Sequence, residues 1–286
     1  MMKTKRNIFA ALIPGIILIA VSCTVTAAGN ADRRYSCALY CVDDKELLAG
    51  ENIDKAIAPA SLTKLLTAAV ALRYVSADAV FAVGTELDYV NYDSSYCLIA
   101  PGQRLKLYDL ASGMLLASGN DAAYTVAVNT ARRVSGSELT DDQAVRYFCV
   151  MMNDLAAELG MNGSHFENPD GWDNAEHYTT VSDLVKLAEY ALTVPEIREI
   201  ASVHQRYVVF ESGENITWTN SNRLLDPDDG FYCESAVGLK TGTTDKAGCC
   251  LIGAFVRDGK TYVTVVAGCG SDGERYEKTL GLLERI

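Results

Sequence analysis

Histidine is scarce in this sequence: three residues, His165, His177 and His204, in a chain of 286. None belongs to an H-E-x-x-H pair, so a zinc peptidase built on that motif lacks its ligands. No two C-x-x-C motifs occur, and a structural zinc site therefore lacks its thiolate framework. No G-x-S-x-G nucleophile elbow is present, which removes the Ser-His-Asp hydrolases that depend on one. Basic residues are also in deficit. There are 25 Lys and Arg against 37 Asp and Glu, for a formal net charge of −12. Such a chain repels a phosphate backbone, so nucleic acid is not an expected partner. Internal repeats and low-complexity tracts are absent.

What is present is an ordinary globular composition, 49% hydrophobic and 22% charged. The chain is long enough to bury a sizeable core, as one large domain or two smaller ones. Its N-terminus reads as a targeting segment. Lys3, Lys5 and Arg6 precede an apolar run from Ile8 to Cys23, and Val25-Thr26-Ala27 or Thr26-Ala27-Ala28 would suit a signal peptidase. Residues 1–28 are expected to be a signal peptide, implying export, or an uncleaved N-terminal membrane anchor. Lipid attachment at Cys23 is a third reading, although Ala20-Val21-Ser22-Cys23 matches a lipoprotein site poorly. Of nine cysteines, eight lie beyond that segment. Export permits disulfides, but sequence alone does not pair them, and several read as buried apolar side chains.

Hydrophobic periodicity organises the rest. Ser36 to Val42 and Glu46 to Ala49 read as strands around an Asp43-Asp44 turn. Ser61 to Val75 repeats apolar residues at helical spacing. Residues 77–107 are mixed, with short strand-like runs. Helices are expected at about 108–117, 120–134, 141–159, 182–192 and 195–202. Thr140 and Gln143 form a capping box, and Pro195 stands at a first helical position. Val237–Thr243, Cys249–Arg257 and Thr261–Gly268 read as strands, the last two joined by Asp258-Gly259, a hairpin signal. Glu274 to Ile286 closes the chain as a helix. Strands at both ends flank a helical middle, so the simplest fold is α/β: one antiparallel sheet built from both chain ends, flanked by helices, with an inserted mostly helical region. A cleft between the two parts would be a natural site.

Three short segments carry chemistry. In Ser61-Leu62-Thr63-Lys64, helical spacing stacks both side chains on one face. A serine hydroxyl needs a base to become a nucleophile, and a desolvated lysine can serve. The same residues also read as an N-capping serine and a solvated lysine. In Ser118-Gly119-Asn120, the serine could relay a proton and the asparagine bind a substrate amide; equally, Gly119 could end one helix and Asn120 cap the next. In Lys240-Thr241-Gly242-Thr243, a cation and two hydroxyls at a strand end could hold a carboxylate, with Gly242 admitting a close backbone; it also reads as an ordinary strand terminus.

Together the three occur in a defined order, each on the element its chemistry requires. That combination, with Ala58-Pro59-Ala60 before the nucleophile, Asp121-Ala122-Ala123 after Asn120, His165 to Gly171, and Gly238-Leu239 before Lys240, resembles the low-molecular-mass penicillin-binding proteins, the serine D-Ala-D-Ala carboxypeptidases, over residues 33–286. The resemblance implies a β-lactamase/transpeptidase-like fold. It assigns Ser61 as nucleophile, Lys64 as base and Ser118 as proton relay. Asn120, Lys240, Thr241, Gly242 and Thr243 would bind substrate, and the N–H groups of Ser61 and Thr243 would form an oxyanion hole. The substrate would be a peptidoglycan stem peptide ending in D-Ala-D-Ala, with β-lactams as covalent inhibitors and no metal or organic cofactor.

Two departures accompany the resemblance. Many members carry a further strand domain ending in an amphipathic helix, whereas this sequence stops at Ile286, so any membrane attachment is expected through the N-terminus. Thr243 stands where some relatives have histidine. Three rivals remain. A D,D-endopeptidase shares the acylation step. A class A-like β-lactamase needs a deacylating glutamate, which Glu167-Asn168-Pro169-Asp170-Gly171 does not fit. A sensor could keep the fold and turn over nothing. Glu167 and Asp170, in a Pro-Gly turn, are expected to face solvent, and His165 to hydrogen-bond within its own loop.

Overall fold

The computed structural model describes residues 35–286; the expected signal or anchor at 1–28 lies outside them. In chain order the elements are β1 Ser36–Cys41, β2 Glu46–Glu51, α1 Thr63–Tyr74, β3 Val80–Ala82, β4 Arg104–Lys106, α2 Leu107–Leu115, α3 Asn120–Ser135, α4 Asp141–Glu158, α5 Val181–Thr193, α6 Pro195–Ala201, β5 Gln205–Val209, β6 Asn215–Thr219, β7 Ala236–Thr244, β8 Gly248–Arg257, β9 Lys260–Cys269 and α7 Asp272–Leu283.

Five strands form one antiparallel sheet in the order β2-β1-β9-β8-β7, so both ends of the chain do build it. Alternation along the central strands divides the interior in two. Ile252, Ala254, Val263 and Val265 face the helical region, while Leu251, Phe255 and Val266 pack with Tyr276 of α7. The expected caps are present. Thr140 Oγ1 accepts from Gln143 N–H, and the Gln143 side chain accepts from Thr140 N–H. Asp258 and Gly259 both take positive φ, as the tight β8–β9 turn requires.

Two differences from expectation have clear causes. The helix expected from Ser61 starts as a 3-10 turn, Ala60–Leu62, and becomes α-helical only at Thr63. Ala60 has φ +50°, a left-handed conformation that blocks an α-helical entry. The second is the β5–β6 hairpin, which no expectation covered. Val208 and Trp218 point inward from strands otherwise at least partly exposed, a half-buried ribbon with period-2 burial.

Candidate active site

The sheet ends on β7, and the free edge of that strand faces the turn that opens α1. A Cβ added at Gly242 would lie 3.0 Å from Ser61 N and 3.1 Å from Ala60 Cβ. Backbone meets backbone there, which is why glycine is needed at this place.

Ser61 and Lys64 meet as their spacing implied. Lys64 Nζ lies 2.7 Å from Ser61 Oγ and donates to the Asp170 carbonyl at 2.7 Å. The lysine is completely buried. Burial lowers its pKa to about 8, against a partial opposing pull from Asp170 and Asp121. A neutral amine is therefore accessible near physiological pH, as a base needs.

Ser118 sits at φ +59° in the loop between α2 and α3. Its Oγ accepts from Lys240 Nζ at 3.0 Å, and the same amine donates to Thr241 O at 2.9 Å. Lys240 is also buried, and its pKa is pushed well down by desolvation and then by the positive charges of Lys64 and Arg275. Thr241 Oγ1 lies 2.6 Å from Ser221 Oγ. Three segments far apart in sequence thus converge; Lys64 is buried rather than solvated, Gly119 rather than Asn120 is the N-cap of α3, and Lys240 to Thr243 do lie at the end of β7.

Asp170 corrects an expectation. It does not face solvent: it is 1% exposed. Asn120 Nδ2 donates to its Oδ2 at 2.6 Å, and Trp172 N–H to its Oδ1 at 3.1 Å. Burial raises its pKa, with the Lys64 charge opposing. The other two expectations for this loop hold: Glu167 is exposed and pairs with His165 at 2.7 Å, within the loop.

Two positioning residues carried no sequence signal as they stood. His177 Nδ1 accepts from Glu167 N–H at 3.1 Å, so its Nε2 carries the proton and faces Thr63 Oγ1 at 2.9 Å. This neutral imidazole ties the 165–177 loop to the start of α1, and burial lowers its pKa to about 3. Arg275 reaches from α7 and donates to Gly242 O at 3.1 Å, Thr243 Oγ1 at 3.1 Å and Cys250 O at 3.3 Å. In a trans peptide the C=O and the next N–H point in opposite directions. Holding Gly242 O on the Arg275 side therefore turns Thr243 N–H away from it. The resulting pocket, about 70 Å³, is lined by Ser61, Ser95, Asn120, Trp172, Thr243 and Thr244, among others.

Residues 37–271 match the family model described as Peptidase_S11, D-alanyl-D-alanine carboxypeptidase. The chain belongs to the S11 family of D-alanyl-D-alanine carboxypeptidases. Among curated relatives, DacF of Bacillus subtilis is 26% identical over 98% of this chain and 70% of its own length. The D-alanyl-D-alanine carboxypeptidase of Streptomyces sp. strain K15 is 31% identical over 72% of this chain and 70% of its own. Among solved structures, the Streptomyces K15 DD-transpeptidase superposes with TM-score 0.79 at 28% identity, covering 87% of this chain and 95% of that one. Membership of S11 makes the protein a serine-type D-Ala-D-Ala carboxypeptidase, a hydrolase of the cell wall and a penicillin-binding protein. Its substrate class is the peptidoglycan stem peptide, and the α/β fold expected from sequence is that of the family's solved members.

Proposed function

We propose that Ser61 removes the terminal D-alanine of stem peptides through an acyl-enzyme, with Lys64 as base. The observation that carries this is the 2.7 Å contact between Ser61 Oγ and a fully buried Lys64 amine of depressed pKa. Ser61 Oγ attacks the carbonyl of the penultimate D-alanine, and its proton passes to Lys64. The N–H groups of Ser61 and Thr243 take the developing oxyanion; such donors are worth about 3 kcal/mol each. Ser118, held by Lys240, relays the proton taken up by Lys64 to the leaving amine, and water then cleaves the ester. Asn120 holds the substrate backbone. Lys240, Thr241 and Thr243, with Gly242 giving clearance, receive the terminal carboxylate. A β-lactam enters the same path, and its ring-opened acyl group stays on Ser61.

Residues 1–28 fit export to the wall space, by a cleaved signal or a retained membrane anchor. N-terminal sequencing of the mature protein from fractionated cells separates the two.

The test of the chemistry is twofold. Labelled penicillin should modify Ser61, and Ser61→Ala should abolish the labelling. Wild-type protein should release free D-alanine from a pentapeptide. Labelling that survives in the mutant overturns the nucleophile assignment; conversion of dimeric to monomeric muropeptide without D-alanine release would mark an endopeptidase.

A further inference from the structure

We infer that Cys249 and Cys269 form an oxidisable cross-strand pair, a disulfide site that clamps β8 to β9 directly behind the strand carrying Thr243. All eight cysteines among the described residues are free thiols. Register singles out one pair. Cys249 and Cys269 are direct partners at the end of the antiparallel β8–β9 pairing, just past the register shift between Cys249 and Leu251. Directly opposed residues of such a ladder share a face, with Cα atoms about 4.5–5.5 Å apart, inside the span a disulfide bridges. Both side chains lie on the α7 side, in the cluster with Leu251, Val266 and Tyr276.

The other cysteines are placed elsewhere. Cys250 points into the opposite core. Cys37 shares the α7-side cluster, but its register sets it opposite Val266, three residues from Cys269 along β9. Cys233 precedes β7 and contacts Ser235. Cys41 approaches Asp44, Cys97 is buried against Gly113 and Gly119, and Cys149 is on α4.

The exposures set an order of events. Cys249 is partly exposed, while Cys269 is 2% exposed and its thiol is pushed up to about 12 by burial. Cys249, as thiolate, attacks one sulfur of a disulfide oxidant and expels one thiolate. Cys269 then loses its proton and attacks the Cys249 sulfur, expelling the oxidant's second thiolate. Two protein thiols become one disulfide, and one disulfide becomes two thiols.

The location gives the bridge its consequence. Cys249 is also the ladder partner of Thr243 across the β7–β8 pair, and Cys250 O shares the Arg275 guanidinium with Gly242 O. A covalent tie at Cys249 fixes the end of β8 against which Thr243 is registered.

The test uses the full chain. The protein is incubated with oxidised glutathione, remaining thiols are alkylated under denaturing conditions, and the unreduced digest is mapped by mass spectrometry. The expected result is two fewer alkylations and one cross-linked pair containing Cys249 and Cys269. Bridging should raise the melting temperature by about 5 °C, the scale expected of a native-like disulfide in a domain this size. Cys249→Ser should remove both the cross-link and the oxidant-dependent rise, and keep the melting temperature of the reduced wild type. A bridge mapped to any other pair, or full alkylation of both thiols after oxidant treatment, overturns the inference. So does a melting temperature indifferent to the mapped bridge. Wild-type mapping alone decides the pairing even if the variant fails to fold.

Discussion

A Cβ placed on Gly171 would lie 1.8 Å from the carbonyl oxygen of Ala60, the residue before Ser61. Gly171 also sits at φ +88°. The loop that carries the buried Asp170 is thus pressed against the turn that presents Ser61, and only a missing side chain permits it. Gly171→Ala should cost about 3 kcal/mol, from overpacking together with a left-handed backbone. It should also slow penicillin acylation by tenfold or more, because the Ala60 turn must move. Thermal melts and acylation rates check this; near wild-type values for both would mean the turn gives way freely.

As the proposed base, Lys64 should govern the pH profile. With its pKa lowered to about 8 from 10.5 by burial, the neutral base appears as pH rises. The second-order rate of acylation by penicillin should therefore climb through a midpoint near pH 8 and flatten above it. Lys64→Arg should remain folded yet lose acylation, because a guanidinium stays protonated. Near-normal acylation by that variant would remove Lys64 from the role of base.

His177 should make the protein acid-sensitive. Its folded pKa is depressed to about 3, against 6.5 for an ordinary histidine. Between those values the unfolded chain binds a proton that the folded chain refuses. Stability from this group is complete above pH 6.5 and is lost progressively as pH falls towards 3, at up to about 1.4 kcal/mol per pH unit. His177→Asn should be less stable at pH 7 but lose less on acidification. Denaturant midpoints at pH 7.5 and 4.5 test it; equal pH slopes for the two proteins would refute it.

The sequence made the pieces of the site visible where the signal was local. Ser61 and Lys64 are one helical turn apart, and Lys240 to Thr243 end an apolar strand, so spacing and period located them. The sheet was readable for the same reason: alternation in β7, β8 and β9 and the Asp258-Gly259 turn fix pairing by short-range rules. The β5–β6 hairpin also carried such a signal, alternating Tyr207, Val208 and Val209 with Ile216, Thr217 and Trp218 around Ser212-Gly213. Asp170 misled because a Pro-Gly turn is normally a surface feature. Its burial depends on Asn120, fifty residues away. His177 and Arg275 act across 114 and 33 residues, respectively, through contacts that no local pattern encodes.

Arg275 supplies the last prediction. Its guanidinium holds Gly242 O and Thr243 Oγ1, and the same peptide plane turns Thr243 N–H away from Arg275. Asp272 would keep a partner without it, since Arg223 also pairs with that carboxylate at 2.9 Å. Arg275→Met should therefore leave no buried unpaired charge, only three carbonyl and hydroxyl acceptors short of a donor, a loss of about 2–3 kcal/mol in stability. If the grip on Gly242 orients the oxyanion donor, acylation should slow by about tenfold or more, equivalent to about 1.4 kcal/mol of barrier. Arg275→Lys should recover stability better than rate, because one ammonium cannot span the same acceptors in the same plane. An acylation rate unchanged in a destabilised Arg275→Met protein would reduce Arg275 to a strut between α7 and the sheet, and would leave the orientation of Thr243 N–H to the β7–β8 ladder alone.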